Sequence, residues 1–293
     1  MHYIKEYYRL AKPGIIYGNL LTTIAAFLFA SRWQFSPHVL ETFVAAVFGL
    51  GFVIGSGCVF NNYLDRHIDA RMERTQKRAL VSGRIRPRNA LIFGGVCGIV
   101  GFAILWLHVN PLTAYIALFG WLMYVIVYGY AKRTTHWAAV VGAIPGAVPI
   151  VVGYTARTNH FDAAALLLFA ILFIWQLPHF YAIAMYRLDE YVAAGIPVLP
   201  ARKGLLFTRI SIIAYIALFT IAVSLLTVFG YAGYLYLIAV LLLGIEWLVH
   251  ALRRKPDGAT QESAWARGVF LQSLIVLLVF SCVLAVSPLL PPL

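Results

Sequence analysis

The chain has 293 residues, 62% of them apolar and 12% charged, about half the charged share of soluble proteins, which excludes a soluble globular fold. Its net charge of +12 could suggest nucleic acid, but the basic residues sit beside apolar runs with no folded module to present them. Membrane lipid or an anionic substrate is therefore their expected partner, and no nucleic acid is expected.

A membrane helix needs about 20 mostly apolar residues to cross a hydrocarbon core about 30 Å thick. Nine such runs follow one another, at residues 13–31, 39–61, 90–108, 111–130, 137–156, 163–186, 210–228, 231–251 and 268–287. The first, after "MHYIKEYYRLAKPG", is too long for the apolar region of a signal peptide and is read as a span. The connections are short except at 62–88, 187–209 and 253–267, so residues 1–293 are expected to form a single polytopic domain. Cys58, Cys97 and Cys282 all fall inside apolar runs without a CxxC, which predicts buried thiols rather than disulfides or a thiolate metal site.

Of the 23 Lys and Arg residues, 21 fall on alternate connections that share one side; only Arg32 and Arg157 fall on the other. Basic residues are retained in the cytoplasm, so the N-terminus is expected inside, "SPLLPPL" outside, and the number of spans odd. Eight acids are assigned to the inner side. Glu6, Asp257 and Glu262 are scattered, whereas Asp65, Asp69, Glu73, Asp189 and Glu190 lie just past spans two and six. Those spans are four helices apart and run in the same direction. This predicts an all-α membrane protein of two related four-helix halves plus a ninth helix, its acidic ends facing across a cavity. Pro145, Pro149 and Pro178 would kink spans five and six, and Gly49, Gly51, Gly55 and Gly57 would let span two pack closely.

The end of span two reads "NNYLDRHIDARMERTQKR". Asn61, Asp65 and Asp69 stand at i, i+4 and i+8, so on a continuing helix they share one face with about 40° of drift per step. Like charges at this spacing repel and ask for a cation. Mg²⁺ suits the donors, because it takes one or two carboxylates, keeps several waters and uses substrate phosphates for the rest. Arg74, Lys77 and Arg78 follow at once and offer charge-assisted hydrogen bonds to phosphate oxygens. Together these residues predict a metal-diphosphate site at a membrane surface. The plain alternative is a positive-inside loop whose carboxylates simply neighbour its arginines.

With these residues in view, the chain resembles the UbiA superfamily of intramembrane prenyltransferases, and within it the haem O synthase (protohaem IX farnesyltransferase) branch. The resemblance is carried by "KPGIIYGNL", "SGCVFNNYLDRHIDARMERT", "WQLPHFYAIAMYR", "AAGIPVLP" and "AWAR", spread over nearly the full length. It implies Mg²⁺-dependent transfer of a farnesyl group from farnesyl diphosphate to a vinyl group of haem B, with water completing haem O. Asn61, Asp65 and Asp69 match the metal-diphosphate motif, Arg74 and Arg78 its basic continuation, and Lys203 a basic position in the second loop. The resemblance also implies a bacterial inner-membrane location and a haem-handling protein or haem A synthase as partner.

The chain departs from the family pattern at Ala79, where proline is frequent, and in the second acidic motif. There Glu190 occupies the first acidic position and Ala194 the second, with Asp189 as a substitute, so the metal-binding carboxylate of that loop stays open. His179 either contacts haem or packs beside Pro178. His67 points away from the motif aspartates, Glu246 is an acid within span eight, and Trp175, Phe180, Tyr181 and Tyr186 either shield a carbocation or pack.

The other enzyme reading is prenyl transfer to a quinone precursor or another aromatic acceptor. A transporter would place acids along a path through the bilayer, whereas here they gather at one face. A haem-carrying electron-transfer protein would place histidine pairs at matched depth, but only His179 lies well inside a span.

Overall fold

A computed structural model describes residues 2–253 and 259–291. Asp257, one of the acids assigned to the inner side, lies outside the described residues. Among the described residues there is no strand, and nine helices are long and apolar enough to cross a membrane. A short helix α1 (His2–Leu10) precedes span one, α2 (Pro13–Ser31). Spans two and three are α3 (Pro37–Asp69) and α4 (Pro87–His108). Span four is α5 (Pro111–Leu122), which continues through a π-helical segment (Met123–Tyr128) into α6 (Gly129–Thr134). Spans five and six are α7 (Ala138–Thr158) and α8 (Ala163–Tyr186). The short helices α9 (Leu188–Ala193) and α10 (Leu199–Lys203) then lead to α11 (Leu205–Val228), α12 (Tyr234–Arg253) and α13 (Ala259–Val286).

Several helices begin at signals legible in the sequence. Ser36 caps α3 by accepting from the Val39 amide (3.3 Å), Asn110 caps α5 through Thr113 (2.8 Å) and Asp162 caps α8 through Ala165 (3.0 Å). Pro37 and Pro111 occupy the following position, where a missing N–H costs nothing. The 33 residues of α3 extend about 50 Å, well beyond a hydrocarbon core of about 30 Å. That excess length carries Asn61, Asp65 and Asp69 past the apolar layer while keeping them on a rigid helix.

The packing repeats with an offset of four spans. Spans two to five pair as two with three, three with four, four with five and two with five; six to nine pair in the same way. Span one, α2, packs on spans two, five and nine and so joins the two sets. Lipid provides no hydrophobic drive between helices, so contact depends on close approach and interhelical hydrogen bonds. Gly153 lies so close to the Thr23 carbonyl that a Cβ there would strike the α2 backbone, and at Gly101 one would come within 2.7 Å of the Gly49 carbonyl. Polar side chains add ties: Thr23 to the Pro149 carbonyl (2.9 Å), Asn110 to that of Thr155 (3.1 Å) and Trp33 to that of Ala285 (2.7 Å).

The structure extends the expected spans at several ends, because helices here run on beyond the hydrocarbon. The second continues to Asp69, the fourth to Thr134, the seventh starts at Leu205 and the ninth is already helical at Ala259. Of the four glycines expected to tighten span two, Gly49 and Gly57 face neighbours a Cβ would crowd, whereas Gly51 and Gly55 would make only ordinary contact. Cys58 and Cys97 are buried, but Cys282 is exposed, since its face of α13 points outward.

Candidate active site

At the end of α3 the chain opens into a cavity of about 580 Å³ walled by spans one, two, four, five, six and nine. Asn61, Asp65 and Asp69 all line it, and each is at most 5% exposed. The helical spacing thus delivers three oxygen-bearing side chains to one wall, with Asp69 as the last residue of the helix.

Isolated buried carboxylates are costly, and each is compensated by a cation from a different segment. Asp65 pairs with Lys132 of α6, and its other oxygen accepts from Arg133 at 3.2 Å. Asp69 accepts from Arg78 at 2.5 Å, and the same guanidinium reaches Asn62 Oδ1 at 3.3 Å. Asn62 in turn donates to the Leu10 carbonyl (2.8 Å), tying the motif to α1. Asn61 Oδ1 accepts from Lys12 (3.3 Å), while its Nδ2 is buried without a hydrogen-bond partner. Burial pushes the Lys12 ammonium down to about 8, against attraction from Asp65, so it stays largely cationic at neutral pH. Lys12 itself sits in the left-handed region (φ 55°) at the turn into α2.

Two carboxylates and an amide oxygen fit a hard divalent cation that completes its shell with water and phosphate. Each carboxylate oxygen has more than one lone-pair direction, so the ion pairs leave room for a metal. Among the described residues no three His, Cys, Asp or Glu side chains converge as an all-protein metal cage. The donor set therefore suits Mg²⁺ held jointly with a phosphorylated ligand.

Arg74 and Arg78 line the cavity. Arg74 also links the acidic loops, with its Nε 3.6 Å from Glu190 Oε2, while Arg187 holds Glu190 Oε1 at 2.9 Å. Tyr191 beside them lines the cavity, and its phenol is pushed up by burial. Asp189, Lys77 and Lys203 are exposed and do not belong to the wall. His67 is likewise exposed and outside it, as its position around the helix implies. Glu246 faces outward and accepts from Gln272, away from the cavity.

Trp175, Phe180, Tyr181 and His179 contribute to the wall, whereas the Tyr186 ring is covered by Arg187 at 5.0 Å. Tyr124 and Tyr128 are further wall residues that the sequence reading missed. They stack with centroids 5.8 Å apart, and the Lys132 ammonium lies 5.6 Å from the Tyr128 centroid. They belong to the π-helical segment, a local widening that often occurs at functional sites. Lys132 was missed because it reads as an ordinary basic residue at a span end. Lys12 lies in "KPGIIYGNL", but nothing local to that motif places it beside Asn61.

Comparison with known proteins places the chain in a family. The chain matches the UbiA prenyltransferase family over residues 19–287. A protoheme IX farnesyltransferase of Serratia proteamaculans is 44% identical over 97% of this chain and 95% of its own length. One of Protochlamydia amoebophila is 46% identical over 95% and 96%. A solved structure described as digeranylgeranylglyceryl phosphate synthase in membranes superposes with a TM-score of 0.77 at 19% identity, covering 98% of this chain and 99% of that one. A UbiA homolog from Archaeoglobus fulgidus bound to GPP and Mg²⁺ gives 0.68 at 15% identity, covering 94% and 99%. These two share the fold. The chain is an integral, multi-pass membrane protein and belongs to the UbiA prenyltransferase family.

Proposed function

We propose that the protein transfers the farnesyl group of farnesyl diphosphate to a vinyl group of haem B, with addition of water, giving haem O. The observation that carries the reading is 43–46% identity, over nearly the whole chain, to proteins named protoheme IX farnesyltransferase. A cavity with a charged mouth and apolar, aromatic walls supports it, because the donor has a charged head and a long apolar tail.

Asn61, Asp65 and Asp69 would hold Mg²⁺, and Arg74, Arg78, Lys12 and Lys132 the diphosphate oxygens. Bound there, the metal would neutralise negative charge developing on the leaving group. The fixed cations of the chain stabilise the same charge without reorganisation. The farnesyl C–O bond breaks with both electrons leaving on diphosphate, and the vinyl π electrons form the new C–C bond. Water then adds to the cation left on the former vinyl group and loses a proton, giving the hydroxyl. Trp175, Phe180, Tyr124 and Tyr128 line the cavity, and aromatic walls favour a cation and keep bulk water from it. Glu190, held by Arg74 and Arg187, is the carboxylate of the second loop closest to this machinery. Asp189, Lys77 and Lys203, exposed and outside the cavity wall, receive no direct role in this arrangement.

The distribution of Lys and Arg supports a cytoplasmic mouth in a bacterial inner membrane. The product keeps an apolar tail, which supports a membrane-bound receiver such as haem A synthase. Purified protein given haem B, farnesyl diphosphate and Mg²⁺ is expected to yield a haem heavier by a farnesyl group plus a hydroxyl, lost with EDTA. Transfer to a phenolic acceptor but not to haem would contradict the acceptor assignment.

A further inference from the structure

The hydrogen bonds around His179 fix which ring nitrogen carries its proton. Ser273, on α13, donates its hydroxyl hydrogen to the Phe270 carbonyl at 2.6 Å. A serine hydroxyl has one hydrogen and two lone pairs, so toward His179 Nδ1, 2.7 Å away, the same oxygen is an acceptor. The proton therefore sits on Nδ1, and Nε2 keeps its lone pair.

The ring is held in place on more than one side. It stacks on Trp175 with centroids 5.0 Å apart and leans on Phe270 at 5.0 Å. Trp175 is itself fixed by donating to the Ser273 carbonyl at 3.0 Å. One turn of α13 thus sets the ring's tautomer and its orientation. Leu274 and Leu277, further along α13, line the same cavity as His179 and give that part of it an apolar wall. The other cavity-lining histidine, His136, has its Nε2 enclosed by protein without a partner, so that nitrogen is not offered to a ligand in the cavity.

An imidazole that donates from one nitrogen to a fixed oxygen and keeps a lone pair on the other has the form of a metal-binding histidine. A histidine kept for packing needs no defined tautomer. We infer that His179 is the axial ligand of the haem substrate, bonding iron through Nε2, and that Ser273 is the positioning residue that fixes its tautomer. This rests on the reading that haem B is the acceptor. The bond forms by donation of the Nε2 pair into an open axial position, and no proton moves.

The test is titration of purified, full-length protein with haem B in the absence of farnesyl diphosphate, followed by absorption and by resonance Raman of the ferrous form. Wild type is expected to show an iron–histidine stretch. His179→Ala should lose it and regain it with added imidazole. Ser273→Ala should lower its frequency and weaken haem binding about tenfold, with Ser273→Thr restoring both. Affinity for farnesyl diphosphate with Mg²⁺ should stay within about twofold of wild type in all three variants, because the hydrogen bonds and ring contacts of these residues include none of the charged cluster. An unchanged band in His179→Ala, or loss of the band in His136→Ala instead, overturns the inference. If wild type makes the farnesylated haem while His179→Ala keeps the band, this inference alone fails. If wild type neither binds nor modifies haem, the acceptor reading fails and takes the inference with it.

Discussion

Asp65 and Asp69 end a 33-residue helix, are buried, and are paired with cations from other segments. Asp189 and Glu190 lie on a six-residue helix, where Asp189 is exposed and Glu190 is half-buried between two arginines. The two acidic regions therefore differ in rigidity as well as in charge. A long helix packed by its apolar length can hold carboxylates in fixed positions out of water, where their interactions are strong. A short helix tied by part-exposed ion pairs can adjust at little cost. The first region has the build of a preorganised site, and the second that of an adjustable segment tied to it through Arg74.

This contrast predicts a graded response to substitution. The largest effect belongs to Asp65→Asn, which should lower transfer by about 10²–10³-fold, the scale seen when one preorganised charge stabiliser is removed. A turnover assay with saturating Mg²⁺ checks it, with thermal unfolding in detergent confirming a folded variant. Lys132→Met should cost about 10–100-fold, the loss of one or two charge-assisted hydrogen bonds. It should also lower stability, because the buried Asp65 carboxylate loses one of its two cationic partners and keeps only Arg133. The double variant Asp65→Asn/Lys132→Met should recover stability without recovering activity, a pattern that separates pairing from catalysis.

Glu190→Gln should cost no more than about fivefold, in line with a part-exposed ion pair. A loss as large as that of Asp65→Asn would erase the distinction between the two regions. At the small end, Lys77→Ala and Lys203→Ala should leave kcat/KM within about twofold of wild type, since both are exposed and outside the cavity wall.

Much of this contrast was legible in the sequence, because it depends on local pattern. Apolar runs of membrane length, the 4-residue spacing of Asn61, Asp65 and Asp69, and the acids after span six each follow from neighbours in the chain. Arg78, beside the motif, was legible as a basic neighbour, but the cations that come from other spans were not. Lys132 lies 67 residues from Asp65 and Lys12 lies 49 from Asn61, and both look like ordinary basic residues at span ends. Only tertiary packing brings them to the motif. The π-helical widening that presents Tyr124 and Tyr128 was hidden as well, since "MYVIVY" reads as plain apolar helix. His179 was visible as the histidine well inside a span, but the role of Ser273 depends on the packing of α13 against α8.

The most direct measurement is a mass-resolved assay of wild type, Asp65→Asn and Glu190→Gln side by side, with haem B, farnesyl diphosphate and Mg²⁺. Wild type and Glu190→Gln are expected to give the farnesylated, hydrated haem, and Asp65→Asn almost none. Product from Asp65→Asn at the wild-type rate, or its loss in Glu190→Gln alone, would contradict the placement of the diphosphate chemistry at the end of α3.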